Sequence, residues 1–199
     1  MYAITVEKKA LRAISLFTSV KDIRYYLNGV LVELSPDGAR LVATNGHMLA
    51  VIRCRGQNGG DIAPNEKREY IIPRDAFKSI KKAGRRDAPA VFLQFEGDTF
   101  TIIDGETKTT GKVIDGKYPD YRRIFSGPIN DKPAQFNAEY VWAFHEAARE
   151  YGQHIPQVSI GHNGDMSATV NIGEPDFFGV LMPMRSHDVQ KTPPAWVMA

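Results

Sequence analysis

Apolar residues follow two periods along this chain, and the two alternate in the same order three times. "ITVEKKALRAI" (4–14) opens with a short β-branched run and passes into apolar positions three and four apart. "YIIPRDAFKSI" (70–80) aligns with it without a gap, at an offset of 66 (70 − 4). Ile4-Thr5-Val6 then faces Tyr70-Ile71-Ile72, Lys8 faces Arg74, Ala10 faces Ala76, Leu11 faces Phe77, Arg12 faces Lys78 and Ile14 faces Ile80. A third copy, "FNAEYVWAF" (136–144), lies at an offset of 64 (136 − 72), with Phe136, Val141 and Phe144 in the places of Ile72, Phe77 and Ile80. Each copy predicts a strand running into an amphipathic helix. Asn137 suits an N-cap, and Pro73 sits where a first helical turn tolerates proline.

The segments after each helix repeat as well. "GVLVEL", "RLVAT" and "MLAVIRC" come after the first, "AVFLQFEG", "TFTIID" and "TKTTGKVID" after the second, and "QVSIG", "SATVNIG" and "FFGVLMPM" after the third. The links carry hairpin chemistry, "SPDG" in the first copy and "HNGD" in the third. The expected fold is therefore α+β: three strand–helix–three-strand units with helices on one face of antiparallel sheets. Units 1 and 2 occupy 1–60 and 66–125, unit 3 occupies 126–185, and 186–199 is a tail. Its two prolines predict an extended segment, with Trp196, Val197 and Met198 as the apolar exception.

Composition adds limits. The chain has 199 residues, is 43% hydrophobic and 24% charged, and carries a net charge of +2, so any affinity for nucleic acid must come from local clustering. Clusters exist. On the second helix Arg74, Lys78, Lys81, Lys82 and Arg85 form a predicted basic stripe opposite Ala76, Phe77, Ile80 and Ala83; Lys8, Lys9 and Arg12 form a shorter one on the first. A row of cations without interspersed acids suits phosphates read without regard to sequence. The third helix departs from this, with Glu139, Glu146 and Glu150. The single cysteine, Cys54, rules out an internal disulfide framework and suits a reducing cytoplasm. The first residues do not read as a signal peptide, and no apolar run is long enough to predict a membrane span. His47, His145, His154, His162 and His187 show no metal-ligand spacing. With no phosphate-binding glycine loop and no nucleophile elbow either, neither an enzyme nor a cofactor is predicted.

Four motifs in order, "DIRYYLNGVLVE" (22–33), "LVATNGHMLAV" (41–51), "VIDGKYPDYRRIF" (113–125) and "VLMPMR" (180–185), closely resemble the bacterial DNA polymerase III beta subunit family of sliding clamps. The likeness extends in register over roughly residues 1–185. Residues 1–125 resemble that family's whole middle domain, and residues 134–185 the second half of its C-terminal domain. The family's first domain, and the first half of its last, have no counterpart in these residues. The resemblance implies the DNA-clamp fold, with helices lining a hole around duplex DNA and a hydrophobic surface pocket that tethers polymerases and other partners. Carried over position by position, the pocket comprises Leu27, Thr44, Gly46, His47, Met48, Leu49, Pro119, Arg123, Ile124, Val180, Met182, Pro183, Met184 and Arg185. Arg123 would hold the rim, and Met48 stands where the family has a basic residue. Lys21, Arg24, Tyr25 and Tyr26 match a loop that reaches DNA in the family, and the basic helix residues would add a diffuse positive lining. Rings of this family close with twelve units, so three per chain implies a homotetramer (3 × 4 = 12), with a clamp loader as a further candidate partner. The competing expectation is a non-ring regulator that keeps the pocket without encircling DNA.

Overall fold

A computed structural model describes residues 1–56, 58–60, 62–63, 66–84, 87–124, 128–185 and 192–198. Unit 1 comprises β1 (Tyr2–Glu7), α1 (Lys8–Ser15), β2 (Gly29–Ser35), β3 (Gly38–Thr44) and β4 (Met48–Cys54), with a short β5 (Asn58–Gly59) after them. Unit 2 comprises β6 (Arg68–Pro73), a 3-10 helix (Arg74–Ser79), β7 (Ala90–Glu96), β8 (Thr99–Asp104) and β9 (Thr107–Lys112). Unit 3 comprises α2 (Ala138–Glu150), β10 (Ser159–Gly161), β11 (Ala168–Asn171) and β12 (Phe177–Leu181). Further 3-10 helices span Tyr25–Asn28 and Tyr121–Ile124.

Units 1 and 2 exchange their first strands. β1 pairs with β7, and β6 pairs with β2, both antiparallel. This builds a five-stranded sheet β5-β1-β7-β8-β9 and a seven-stranded sheet β10-β11-β12-β4-β3-β2-β6. Unit 3 joins through β12, which lies antiparallel to β4 from Phe177↔Ile52 to Leu181↔Met48. Strand alternation decides which residues face which way. On β2, Val30, Val32 and Leu34 enter the main core with α1, α2 and the five-stranded sheet, while Leu31 points to the opposite face. At the junction of units 1 and 3, Phe17 packs against Phe144 and Phe177 at ring distances of 4.8 and 5.9 Å. Burial of each such ring stabilises by about 1.5–3 kcal/mol.

Local chemistry explains the helix ends. The Asn137 side chain accepts a hydrogen bond from the Glu139 backbone N–H at 2.9 Å, capping α2 as its sequence predicts. The second helix departs from expectation: it is six residues of 3-10 helix, not a long amphipathic α-helix. Ser79 Oγ bonds the Ala76 carbonyl, and Ile80 is buried with its carbonyl accepting from Arg12 Nη1 at 2.9 Å. That carbonyl is therefore diverted from a helical bond to Gly84, and the closely spaced Lys78, Lys81 and Lys82 repel one another along any continued helix. Two smaller differences concern unit 3 and the tail. Unit 3 opens on an isolated Gln135↔Met184 bridge in place of a full strand, and the expected extended tail contains one helical turn, α3 (Ala195–Met198). Residues 186–191 and 199 lie outside the described residues.

Gly179 on β12 faces the Phe144 ring so closely that a Cβ there would collide with it and come within 3.1 Å of Val170 on the neighbouring strand. Gly179→Ala is expected to lower the unfolding free energy by roughly 1–3 kcal/mol through overpacking. Urea denaturation monitored by circular dichroism checks this, and an unchanged midpoint contradicts it.

Candidate functional site

Four segments far apart in sequence meet on the outer face of the seven-stranded sheet. Leu27, Leu49 and Val180 are buried in one small apolar cluster with Leu31, Val42 and Ile71, and Ile124 packs against its side. Thr44 is buried, its Oγ1 donating to the Met48 carbonyl at 2.7 Å, but the Met48 side chain packs into the main core on the other face of β4 with Ala50 and Ile52, which corrects its expected place in the pocket: strand alternation puts Leu49, not Met48, on this face. The Met182 N–H donates to the His47 carbonyl at 2.8 Å, which fixes the "MPMR" segment beside the "NGH" turn. Met182 and Met184 remain 39% and 49% exposed. Gly46, His47, Pro119, Arg123 and Arg185 are exposed, and Pro183 is half-buried. Apart from Met48, the predicted set thus separates into a buried apolar floor and a more exposed rim.

The cluster also holds two residues absent from the sequence-predicted set, Tyr118 and Tyr121. The Thr44 N–H donates to Tyr118 Oη at 3.1 Å, and burial raises the Tyr118 phenol above its ordinary pKa. Tyr121 Oη donates to Glu33 Oε2 at 3.2 Å; burial first, then the Glu33 charge, pushes the Tyr121 pKa up to about 12. Both phenols therefore stay neutral at physiological pH, Tyr118 accepting and Tyr121 donating. His47 does more than complete a turn: its ring stacks on Tyr140 of α2 at 5.5 Å.

Glu33 explains the two adjacent arginines. Its carboxylate is fully buried on β2, and Arg122 Nη2 reaches its two oxygens at 2.6 and 2.7 Å. Arg40 and Lys67 approach the same carboxylate at 3.2 and 3.3 Å. Burial works against the charge, but the Arg122 hydrogen bond and the Arg122 and Lys67 charges outweigh it, so the Glu33 carboxyl lies below its ordinary pKa. Arg122 is thus an anchor for the segment that crosses the sheet. Arg123 is 86% exposed at its side chain, 3.3 Å from Asp120, and stands on the rim. A lone glutamate inside the apolar strand "GVLVEL" is the sequence signal for such a buried partner.

The predicted basic lining is partly consumed by structure. Lys8 is buried and ion-paired with Asp104 at 2.6 Å, so its ammonium is withdrawn from any phosphate. Arg12 donates to both Glu150 oxygens at 2.7 and 2.8 Å, bracing α1 against α2, and this hydrogen bond raises its pKa. Both correct the expectation of free cations. Lys9 is half-exposed, 3.2 Å from Glu7 and over the Tyr151 ring. Lys81 and Lys82 are exposed beyond the 3-10 helix, and Arg85 lies outside the described residues.

A groove of about 720 Å³ gathers Lys21, Tyr25, Arg74 and Lys78 beside Ser19 and Asn28. Arg24 grips Asp22 at 2.8 Å, a hydrogen bond that lowers the Asp22 pKa to about 2, and Tyr26 packs edge-on to Tyr25. Lys78 is 2.7 Å from Asp75, with both side chains widely exposed. Among the described residues no cluster of His, Cys, Asp or Glu fits a metal ion, and no helix is long and apolar enough to cross a membrane.

The family model for the DNA polymerase III beta subunit, central domain, matches residues 4–120, more than half of the chain. The chain belongs to the DNA polymerase III beta subunit family. Among its relatives, the beta sliding clamp of Vibrio cholerae is 36% identical over 104 residues, covering 52% of this chain and 27% of that protein. The Escherichia coli beta sliding clamp is 31% identical over 117 residues, covering 59% and 31%. The aligned region thus spans under a third of those relatives' length. Solved structures extend the likeness in fold into unit 3. A Pseudomonas aeruginosa DNA polymerase III subunit beta has TM-score 0.70 at 20% identity, covering 92% of this chain and 66% of its own. A Helicobacter pylori beta clamp bound to a DNA ligase peptide has TM-score 0.74 at 14% identity, covering 93% and 66%. The family is one of clamps rather than catalysts, in keeping with the non-enzyme expectation.

Glu33→Gln is expected to lower stability at pH 7 by roughly 1–2 kcal/mol, because Arg122, Arg40 and Lys67 lose the buried carboxylate on which they converge. A carboxyl with a depressed folded pKa stabilises above its unfolded value and loses that contribution as pH falls. The difference between wild type and variant should therefore shrink below about pH 4. Urea titrations at both pH values measure it, and a pH-independent difference refutes the ion-pair account.

Proposed function

We propose that the chain is a DNA sliding clamp, a processivity factor. It encircles duplex DNA without sequence preference and tethers polymerase or other replication and repair proteins through the apolar notch. The observation carrying this reading is the convergence of Leu27, Leu49, Ile124 and Val180 into one floor, with Met182 and Met184 exposed at its edge. Methionines give an adaptable apolar surface for peptide side chains, and Arg123 supplies a rim donor for peptide carbonyls or acids. The Helicobacter pylori clamp, whose fold this chain shares, holds a DNA ligase peptide, which favours a peptide partner here too. In this reading residues 1–125 form a complete clamp domain and 126–185 half of a second. Four chains supply the twelve units of a ring, a clamp loader opens it, and the particle works in the cytoplasm.

The groove with Lys21, Tyr25, Arg74 and Lys78 would touch sugar and phosphate, with Lys9, Lys81 and Lys82 adding diffuse charge. One observation favours a second reading. Lys8 and Arg12 are neutralised by Asp104 and Glu150, so the lining is thinner than the sequence stripe suggests, which suits a non-ring regulator that competes for clamp-binding partners.

Retention on circular against linearised DNA at moderate salt separates the two. A clamp stays on circles and leaves free ends, whereas equal retention on both excludes encirclement. Independently, Met182→Glu with Met184→Glu should weaken binding of a fluorescent clamp-binding-motif peptide by at least about tenfold, or 1.4 kcal/mol. Assembly should be intact, and unchanged affinity would move the peptide site elsewhere.

A further inference from the structure

The exchange between units 1 and 2 keeps the same register in both directions. β1 meets β7 from Tyr2↔Phe95 to Glu7↔Ala90, and β6 meets β2 from Arg68↔Leu34 to Pro73↔Gly29. Adding 66 to the β1 positions and subtracting 61 from the β7 positions converts the first set into the second, pair by pair. A unit therefore mates with another unit across a local two-fold axis, each lending its first strand to the other's second.

Unit 3 carries the same parts. Its Met184 N–H donates to the Gln135 carbonyl at 2.8 Å, just as Ile114 donates to Ile71 at 2.8 Å in unit 2. Gln135 thus occupies the first-strand position of Ile71 and Thr5. Val158 and Ile160 pack against the main core, as Val30 and Val32 do on β2, so β10 is the second-strand counterpart. Yet β10 ends the seven-stranded sheet, with no strand on its outer side among the described residues. Residues 113–135 lead directly from unit 2 into unit 3 and leave no room for another unit of about sixty residues. Trp142 marks the same side of α2. It stands at the repeat position of Arg12, whose guanidinium crosses the seam between units 1 and 2, and it is 57% exposed, stacked on His145.

We infer that the outer edge of β10, with the Gln135 segment and Trp142, is a two-fold interface for the same surface on a second copy of this chain. This deepens the ring reading above by naming one of its seams, and rests on that reading for the rest of the circle. The register of units 1 and 2 sets Gln135 of each copy opposite Ser159 of the other, as Thr5 lies opposite Phe92. The resulting pair is a six-unit arc. At each end of it lies β9, the counterpart of β4, an edge strand with Lys108 exposed and Lys112 exposed but ion-paired with Asp98 at 2.6 Å. Lysines discourage casual edge pairing, which makes β9 the weaker seam and the place where a ring would open.

Sedimentation of the full chain without DNA or peptide tests the inference. Wild type at tens of micromolar should have at least twice the mass of one chain, and Trp142→Glu should halve that mass with an unchanged circular dichroism spectrum. Gln135→Cys with Ser159→Cys should give a covalent dimer on oxidation, while either single variant gives none at that pair. Cys54 does not interfere, because it is buried and its thiol is pushed up to about 12. A wild-type monomer, a mass insensitive to Trp142→Glu, or a double-cysteine variant that stays monomeric on oxidation overturns the interface. Because no DNA or peptide is present, such a failure is distinct from failure of the clamp reading, which the circle-retention and peptide measurements decide.

Discussion

The structure depends on the satisfaction of backbone edges. A strand end left in the core with unpaired N–H and C=O groups is costly, so each unit's first strand must find a second strand elsewhere. The β1–β7 and β6–β2 exchange meets that need and makes units 1 and 2 inseparable: Ile4 and Val6, which belong to unit 1, are buried in the core against unit 2's sheet. The main core then holds residues of both sheets at once. The β4–β12 pairing extends the larger sheet into unit 3 and brings the Leu49 and Val180 side chains to the same face. Without that pairing the apolar cluster would lose one wall, so the cluster is a by-product of how the units join.

A second constraint fixes the segment lying over that surface. The buried Glu33 is sustained because three cations and a phenol converge on it. Removing a charge from water costs several kcal/mol unless it is paired, so the arrangement holds together or fails together. Its consequence is positional. With Arg122 pulled down to Glu33, the neighbouring Arg123 is directed outward, and Tyr118 and Tyr121 are pressed into the apolar cluster. Two chemically identical neighbours thereby acquire different surroundings, one tied to a buried carboxylate and one directed to solvent.

Strand spacing, hairpin turns and the three-unit order were legible because they rest on short-range patterns: alternation, Asp-Gly and Asn-Gly pairs, and the Asn137 cap. The convergence of Leu27, Leu49, Ile124 and Val180 was legible only by resemblance, since nothing local in "YYLNG" points to "VLMPM". Long-range electrostatics escaped. Lys8 and Arg12 have the pattern of surface cations on a helical face, but their partners, Asp104 and Glu150, are contributed by other units. The shortened second helix escaped for a related reason. The Ile80 carbonyl is claimed by Arg12 from unit 1, and a tertiary bond of that kind overrides a favourable local period.

The pairing of Lys8 and Arg12 bears on the proposed contact with DNA. Contact with phosphates is diffuse and salt-dependent, and a protein that moves along a duplex needs many weak contacts rather than a few strong ones. Withdrawing Lys8 into an ion pair, and spending Arg12 on Glu150, leaves exposed ammonium groups at Lys21, Lys81 and Lys82, with Lys9 held between Glu7 and Tyr151 and Arg74 half-buried in the groove. These sit on flexible stems or loops rather than in a rigid fork. A lysine presents a mobile point charge, whereas the bidentate geometry of an arginine would favour one register over another. The two rigidly held cations on α1, Lys8 and Arg12, brace the units, and the mobile ones face solvent. If the chain encloses DNA, a modest net charge of +2 suffices, because several copies would add equal, sequence-blind contributions around the hole.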